Sequence, residues 1–408
     1  MGRDCEQGQP LLARQPIFDQ QQRVIAYELL YKEDEHLAAV LRQDPEAQSS
    51  SEVILHAYTS ISDQGEIRRV PAFIQIAPRM ILEGTMPALP VRQVVICVRL
   101  SDSGNLELLR ALHKLAKDGY RIALTDFRFR PDHASALKIA NIVKIDVGAL
   151  DQAGIREQVE LLRAYKVTPL AANITQFATL ERCIESGYRL FQGSFLSKPR
   201  AIRGHRVNAN QIALMQLIQA LQQPTTTPEA LEDLIIRDPI LTFKLLRIVN
   251  SSAYALVRQV ESIAEAVVLL GMEQIRKWAT LIAMTANRDK PEELTRILLT
   301  RGHMCEMIAQ SERLPNPSSY FMVGLMSGLH AMLDIDRATL LQQLPLSDEI
   351  KRALAKGEGK MGQILRRVIA YESGNWDQLP SDFPVALYEA CYRHSLKWSK
   401  ESMQAMYE

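Results

Sequence analysis

The sequence lacks the long apolar segments and the charge bias that mark membrane, secreted and nucleic-acid-binding proteins. Among its 408 residues, no apolar run approaches the ~20 residues that a membrane-spanning helix needs. Residues 1–10 lack the apolar core of a signal peptide. The formal net charge is only +1, so we expect no general attraction to nucleic acid or to an anionic membrane. We therefore predict a cytoplasmic protein that binds neither nucleic acid nor membranes.

Cysteine is also scarce, and no two cysteines form a Cys-x-x-Cys pair. The set is odd in number and scattered: Cys5, Cys97, Cys183, Cys305 and Cys391. Such a set is typical of reduced thiols, most of them buried as small hydrophobic side chains. The hydrophobic share of 47% and the charged share of 23% are ordinary for a globular protein. A length of 408 residues predicts two domains.

The first half of the sequence contains alternating strand and helix patterns. Residues 70–77 and 93–100 are continuous apolar runs, the form expected of strands buried on both faces. The stretch from Gly119 to Asp146 has the pattern of a strand, a loop, a short helix and a second strand. Its strands end at Thr125-Asp126 and at Asp146, and parallel α/β folds place their chemistry at that edge of the sheet. About seven or eight strands are expected in all, which favours a closed (β/α)8 barrel of the TIM type over an open doubly wound sheet.

The second half of the sequence has a different secondary-structure pattern. After Arg206 the strand patterns almost vanish and helical patterns dominate, including one predicted helix over 318–333. We place the domain boundary near 200–206 and predict an α/β barrel at 1–202 and an all-α domain at 203–408.

Short motifs in the first half resemble those of the EAL domain, a barrel family that hydrolyses cyclic di-GMP in bacterial signalling. The matching segments are Gln15-Pro16-Ile17, Tyr27-Glu28-Leu29-Leu30, Thr125-Asp126-Phe127, Lys144-Ile145-Asp146 and Gln192-Gly193 with Lys198-Pro199. Each is weak alone, but together they follow the order and spacing of the family. The resemblance covers residues 14–200 and implies a barrel with its site at the carboxyl ends of the strands.

The resemblance also implies what an active site would need. Active EAL enzymes hold two divalent ions ~4 Å apart, which activate a water and clamp the phosphate. Such hard cations need several carboxylate ligands. This sequence keeps the family's residue at Glu28, Asp126, Lys144, Asp146 and Gln192.

Other positions of the family pattern are changed. Gln75 stands for an asparagine and Cys97 for a glutamate. Thr125 stands for the first aspartate of a pair. Ala172 begins the replacement of a segment that supplies two glutamates, one of them the expected base. Losing a general base costs roughly 10²–10⁴ in rate. We therefore interpret the first domain as a degenerate EAL domain with no catalytic residues and no metal.

Three cationic residues bear on whether the first domain still binds the dinucleotide. Lys32 stands where the family uses a ligand-contacting arginine, and lysine lacks the bidentate fork of arginine. Arg128 and Arg130 replace small residues in the phosphate-facing loop. They would either grip a phosphate or fill the emptied metal site with positive charge.

The second half resembles the HDOD domain, a helical relative of the HD phosphohydrolases. The resemblance is carried by the stretch from Leu231 to Tyr254, with signature residues Asp238, Pro239, Asn250, Ser251 and Gly271. Asp238 and Pro239 predict an N-cap and first helical position, and the Asn250–Ser252 turn is expected to cap helices through local bonds to backbone.

The metal-binding doublet of HD enzymes is missing from this sequence. None of the eight histidines is followed by aspartate, and Ser327-Gly328 stands at the doublet position. His303 is a match for an outlying histidine, and His330 lies one turn past the doublet. We expect no metal here, because a metal site needs several convergent ligands.

The resemblance to the EAL–HDOD pair leads to three functional hypotheses. The first is a non-enzymatic bacterial signalling protein that binds protein partners of unknown identity. The second is a cyclic di-GMP receptor that binds without hydrolysis. The third is a weak residual phosphodiesterase. We assign no cofactor.

Overall fold

The computed structural model describes residues 11–32, 58, 70–100, 106–199, 216–223, 225–250, 259–285, 290–380 and 382–407. The chain divides into two compact units. The first comprises the residues up to Phe195 together with Tyr371–Glu389, and the second comprises Leu196–Ala370 and Ala390–Glu408. Within the described ranges no helix is both long and apolar enough to cross a membrane.

The first unit is built on a closed barrel, as the strand pattern predicts. Its eight described strands follow one another around the barrel in chain order. They are β1 (Leu11–Phe18), β2 (Val24–Lys32), β3 (Ala72–Gln75), β4 (Val94–Arg99), β5 (Arg121–Thr125), β6 (Ile142–Asp146), β7 (Thr168–Ile174) and β8 (Leu190–Gly193). Strand β1 is antiparallel to both β2 and β8. The other neighbours are parallel, from β2 through β8.

Short helices connect the parallel strands. They are α1 (Pro78–Glu83), α2 (Leu106–Lys117), α3 (Ala134–Leu137), α4 (Gln152–Leu162) and α5 (Phe177–Ser186). Helix α2 has the bounds that its leucine spacing predicts, and it buries Leu108 and Leu112. Asp151 caps the start of α4 by accepting a hydrogen bond from the Gly154 amide. Gly187, at φ +100°, ends α5 in a conformation that favours glycine.

The interior of the barrel is an apolar layer topped by polar side chains. Alternate residues of a strand share one face, so each strand contributes inward residues at every second position. The apolar cluster comprises Ile17, Ala26, Phe73, Val95, Cys97, Ala123, Ile142, Leu170 and Ala172. Two residues further along their strands, the same alternation brings Glu28, Gln75, Thr125 and Lys144 inward at the carboxyl ends. These four predicted site residues therefore lie together beyond the apolar cluster, at the carboxyl ends of their strands.

The second unit is helical, as predicted. Its helices are α6 (Pro228–Ile236), α7 (Pro239–Val249), α8 (Ile263–Leu270), α9 (Met272–Thr285), α10 (Glu292–Ser311), α11 (Pro317–Met326), α12 (Leu329–Leu333), α13 (Arg337–Gln343), α14 (Asp348–Lys356), α15 (Gly359–Glu372) and α16 (Val385–Tyr407). The last two run partly into the first unit. The prediction of one continuous helix over 318–333 was wrong. The chain breaks at Ser327-Gly328, where a side chain on Gly328 would collide with Leu298 at 2.3 Å.

The signature residues of the second half adopt most of their predicted roles. The Asp238 carboxylate accepts hydrogen bonds from the Ile240 and Leu241 amides, and Pro239 begins α7. Gly271 ends α8 at φ +82°. Asn250 follows the end of α7, but its side chain bonds both backbone groups of Val260, ten residues on. The Asn250 side chain therefore links the end of α7 to Val260, instead of bonding to the neighbouring backbone as predicted. Ser251 lies outside the described residues.

The prediction of buried, reduced cysteines is confirmed for the four that the structure describes. Cys97, Cys183, Cys305 and Cys391 are all buried, and none of them forms a disulfide. Burial raises the pKa of Cys183 and of Cys391 to about 11, so both thiols stay protonated at neutral pH. Cys5 lies outside the described residues.

Candidate functional site

The centre of the barrel site is the carboxylate of Glu28. Lys144 on β6 donates hydrogen bonds to both of its oxygens, at 2.8 Å to Oε1 and 2.6 Å to Oε2. Gln192 on β8 donates a further hydrogen bond of 2.6 Å from Nε2 to Oε2. The Glu28 side chain is 7% exposed and that of Lys144 is 18% exposed. The acidic group of the site is therefore buried and neutralised by a cation of the same chain.

A second hydrogen bond lies in the same layer, between side chains of β3 and β5. The Thr125 hydroxyl at the end of β5 donates a hydrogen bond of 3.0 Å to the side-chain oxygen of Gln75 at the end of β3. Thr125 is buried, so this pair satisfies polar groups that are shielded from water. The contact joins two positions where the family pattern is changed.

Two further changed positions contribute no polar ligand. Cys97 and Ala172 are both members of the apolar cluster inside the barrel. Burial raises the pKa of the Cys97 thiol, and the nearby charge of Glu28 raises it further. The thiol is therefore protonated at neutral pH, and its sulfur lies 3.8 Å from the Val95 carbonyl oxygen.

The two acidic residues at the strand ends point to other partners. Asp126 follows β5 at φ +50° and forms an ion pair with Arg99, at the end of β4. Asp146 accepts a hydrogen bond of 2.8 Å from the Gly148 amide. Both residues lie at the ends of strands, as the sequence predicts, and their carboxylates bond to groups at the rim rather than to Lys144 or Gln192.

The segment from Ala172 to Thr175 differs from a regular strand. Asn173 has φ +61°, and the pairing of β7 with β8 shifts register between Ala171 and Ile174. Gly193 sits opposite at φ +154°, where a Cβ would lie 2.0 Å from the Ile174 carbonyl oxygen. This close approach requires glycine at position 193. The register shift changes the direction of the side chains at the end of β7, where the family has its glutamates.

The predicted phosphate contacts lie partly at this edge. Arg128 is exposed, and its guanidinium has no partner among the described residues. Arg130 forms an ion pair of 3.4 Å with Asp132. The cation bonded to Glu28 is Lys144. Nothing is described of the Lys32 side chain.

Gln15 and Arg99 complete the description of the site. Gln15 on β1 lies directly opposite Glu28 in the antiparallel pairing and is partly buried. Sequence reasoning missed Arg99, which lies two residues beyond Cys97 on the same face of β4. The period of the strand was the signal that could have found it.

The donor set does not fit a pair of divalent ions. Hard cations need several oxygen ligands with negative charge, but the one buried carboxylate that the structure describes in this layer is already bonded by Lys144 and Gln192. Among the described residues no group of three or more His, Cys, Asp or Glu side chains is placed to hold a metal ion.

The doublet position of HD enzymes falls at the break between α11 and α12. Two arginines and a histidine surround it. Arg301 on α10 donates a hydrogen bond of 2.8 Å from Nη1 to the Ser327 hydroxyl. Arg337 on α13 lies 3.4 Å from the Ser327 carbonyl and 3.3 Å from His330 Nε2. Because arginine only donates, Nε2 of His330 is the acceptor and the imidazole is neutral. Sequence reasoning missed both arginines.

His303 belongs to a separate aromatic stack in the second unit. Its ring stacks on Trp398 at 4.3 Å and on His394 at 5.4 Å, and Nδ1 lies 3.0 Å from the Ser395 hydroxyl. Burial, the charge of Lys277 and then that of His394 lower the pKa of His303 to about 3. This histidine is therefore a neutral part of the core.

Similarity to known proteins agrees with the two halves. A family model described as "HDOD domain" matches residues 211–374. This match confirms the predicted resemblance of the second half to the HDOD domain. The closed strand order of the first unit agrees with the predicted barrel.

Two curated relatives align with most of the chain. "Uncharacterized protein YuxH" of Bacillus subtilis (strain 168) is 27% identical over 406 residues, covering 97% of this chain and 99% of the relative. "Cyclic di-GMP phosphodiesterase CdgJ" of Vibrio cholerae serotype O1 is 29% identical over 369 residues, covering 90% of this chain and 85% of the relative. Among solved structures, an EAL domain protein from Listeria monocytogenes EGD-e has a TM-score of 0.37 and 19% identity, covering 46% of this chain and 87% of that chain.

Proposed function

We propose that this chain is a non-enzymatic signalling protein that acts by binding protein partners. The observation that carries the proposal is the bonding of both Glu28 carboxylate oxygens by Lys144, with Gln192 on one of them. A metal ion would have to displace these contacts, and Cys97 and Ala172 offer no oxygen ligands in exchange. Without the metal pair, the described residues of this layer offer no group that would activate a water on a phosphodiester.

Five exposed apolar side chains on the HDOD helices support the binding role. They lie on α6, α7 and α8, three helices in mutual contact, and are between 46% and 83% exposed: Ile236, Ile240, Phe243, Val268 and Leu269. Exposed apolar patches of this kind mark surfaces that bind other proteins. Replacing Phe243 and Val268 by aspartate is expected to abolish capture of native partners by the full chain without unfolding it.

A turnover assay tests the non-enzymatic proposal. The full chain, with Mg²⁺ or Mn²⁺, is expected to hydrolyse cyclic di-GMP no faster than a buffer blank. The matched control is the variant Glu28→Gln, which removes the buried carboxylate. Metal-dependent hydrolysis by the wild type that is lost in Glu28→Gln would overturn the proposal and favour the residual phosphodiesterase.

A cyclic di-GMP receptor without hydrolysis is the second candidate. It is favoured by Arg128, an exposed arginine of the barrel edge without a partner among the described residues. A relative at 29% identity also carries the name of a cyclic di-GMP phosphodiesterase. Calorimetric titration with the dinucleotide tests it: binding that weakens in Arg128→Gln but not in Arg156→Gln, an exposed arginine of α4, would support the receptor.

A further inference from the structure

The hairpin of β1 and β2 has an edge that the barrel leaves largely unpaired. A short turn joins the two strands instead of a helix, and in it the Asp19 amide donates to the Arg23 carbonyl. Within the described strands, β8 pairs with β1 only at Phe18 and Phe191. Backbone amides on an unpaired strand edge need other partners, because otherwise they attract strands of other proteins. The rest of β1 therefore needs another neighbour.

A segment from near the end of the chain is that neighbour. Residues Tyr371–Glu389 belong to the first compact unit, although most of the helical unit precedes them in the sequence. We call this segment the strap. The Leu12 amide of β1 donates a hydrogen bond of 3.4 Å to the Tyr371 hydroxyl, and both residues are no more than 1% exposed. The strap therefore takes the place of a neighbouring strand at the start of β1.

The strap also contacts β2 close to Glu28. Gly374 has φ +69°, and a Cβ at this position would lie 2.5 Å from Cδ1 of Leu30. Leu30 follows Glu28 by two positions on β2, so the two side chains share one face of the strand. This contact therefore joins the strap to the strand face that carries the carboxylate of the site.

Aromatic side chains hold the strap together. The ring centroid of Tyr371 lies 5.3 Å from that of Trp376, 6.1 Å from that of Phe383 and 6.2 Å from that of Tyr388. The rings of Phe383 and Tyr388 lie 4.3 Å apart. Aromatic pairs of this kind stabilise a fold beyond the apolar area that they bury. The strap is therefore a packed element rather than a loose connection.

Both ends of the strap continue as helix. Helix α15 enters the strap at Tyr371, and helix α16 leaves it at Glu389. Rigid secondary elements and packed side chains carry energetic coupling between distant parts of a protein. We propose that the strap is a conformational relay, in which a displacement of α15 or α16 loosens the strap and with it the hairpin that carries Glu28. A partner bound to either helix would in this way alter the barrel site.

Hydrogen exchange of the full chain, followed by mass spectrometry, tests the contact of the strap with β2. Gly374→Ala places a methyl group against Leu30 and is expected to speed exchange of the β1–β2 amides by at least about fivefold, the lower end of what overpacking costs. Gly84→Ala is the matched control, because Gly84 also has φ +69° but no heavy atom within 4 Å of a Cβ. The control carries the same backbone strain and should leave this exchange within about twofold of wild type. Equal exchange in the two variants would overturn the proposal.

A second pair of variants tests the contact of the strap with β1. Tyr371→Phe keeps the ring and removes the acceptor of the Leu12 amide. The peptide that contains Leu12 should exchange about 2- to 12-fold faster, the range that corresponds to one neutral hydrogen bond. Tyr188→Phe is the control, since it removes another buried hydroxyl of the same unit, bonded to the Ile155 carbonyl at 3.3 Å. The same exchange of this peptide in both variants would contradict the assignment of the strap as the neighbour of β1.

Cavities in the helical unit test the relay itself. Ile364 on α15 and Ile235 on α6 are both 0% exposed and belong to the second unit. Ile364→Ala is expected to speed exchange of the β1–β2 amides by about 3- to 30-fold, the scale of mutations along a coupling network. Ile235→Ala leaves a cavity of the same chemistry and should not change this exchange. Ile364→Val and Ile235→Val replace the alanine variants if either of those fails to fold. Equal effects of the two positions, or no effect at Ile364, would overturn the relay.

Discussion

The barrel layer around Glu28 and the helix break at Ser327 differ in how their charge is balanced. In the barrel, one buried carboxylate meets one lysine, and the two charges cancel. At the helix break, Arg301 donates to the Ser327 hydroxyl, and Arg337 lies against the Ser327 carbonyl and the neutral imidazole of His330. A buried carboxylate that is already paired with a lysine has little to offer a metal ion. The two places where the resemblances would put a metal therefore hold different kinds of contact: an ion pair in the barrel, and bonds from arginines to neutral groups at the helix break.

The largest expected effect comes from breaking the balance in the barrel. Lys144→Met leaves the Glu28 carboxylate buried with only Gln192 as a partner. The free energy of unfolding is expected to fall by about 3–5 kcal/mol, the scale of an unpaired buried charge. Urea denaturation measures it. The double variant Lys144→Met with Glu28→Gln should recover most of the loss, and a single variant as stable as wild type would contradict the charge balance.

A smaller effect is expected from acidifying the helical unit. The pKa of His303 is lowered to about 3 in the folded protein, against about 6.5 for an unperturbed histidine. Between these values the unfolded chain binds the extra proton, so this stability is present above about pH 6.5 and is lost as the pH falls. From pH 7 to pH 5 the loss is about 2 kcal/mol, at roughly 1.4 kcal/mol per pH unit.

The variant His303→Gln tests this pH dependence by urea denaturation at both pH values. It should show a pH-dependent loss smaller by that amount than wild type. His113→Gln, on an exposed position of α2, is the control and should keep the wild-type dependence. An unchanged slope in His303→Gln would show that this histidine is not held neutral.

The second polar contact of the barrel layer should matter less than the first. Thr125→Val removes the hydroxyl that donates to Gln75 but keeps the shape of the side chain. Because a neutral hydrogen bond contributes about 0.5–1.5 kcal/mol, a loss of that size in the free energy of unfolding is expected. Thr125→Ser retains the hydroxyl and is the comparison. A larger loss in Thr125→Ser than in Thr125→Val would show that the methyl packing, not the hydrogen bond, is important.

The smallest effect is expected at the rim, where charges meet in water. The side chains of Arg99 and Asp126 are 70% and 53% exposed. Exposed ion pairs contribute about 0–1 kcal/mol and weaken with salt. Arg99→Ala should therefore change the free energy of unfolding by less than about 1 kcal/mol, and less still in 1 M salt. A loss as large as that of Lys144→Met would remove the distinction between the buried layer and its rim.

The layout of the barrel site could be predicted because side chains alternate regularly between the two faces of a strand. Glu28, Lys144 and Gln192 follow from the motif positions, and the alternation of side chains turns each toward the interior. That Lys144 would bond both oxygens of Glu28 could not be predicted, because it depends on how its flexible side chain reaches across the barrel.

The helical site was harder to predict than the barrel site. Arg301 and Arg337 both contact Ser327, at the point where the chain breaks between α11 and α12. The apolar pattern over 318–333 favours one unbroken helix, and the break follows from the tight packing of Gly328 on Leu298. Such a contact between distant residues leaves no signal in the local spacing of side chains. The sequence therefore could not predict that the two arginines contact Ser327.

Calorimetric titration of the full chain with Mn²⁺ tests the central claim most directly. A barrel layer whose carboxylate is already neutralised should give no saturable heat at millimolar metal, in the wild type as in Glu28→Gln. Stoichiometric binding of Mn²⁺ by the wild type that disappears in Glu28→Gln would contradict the account, because Glu28 would then be a metal ligand rather than the partner of Lys144.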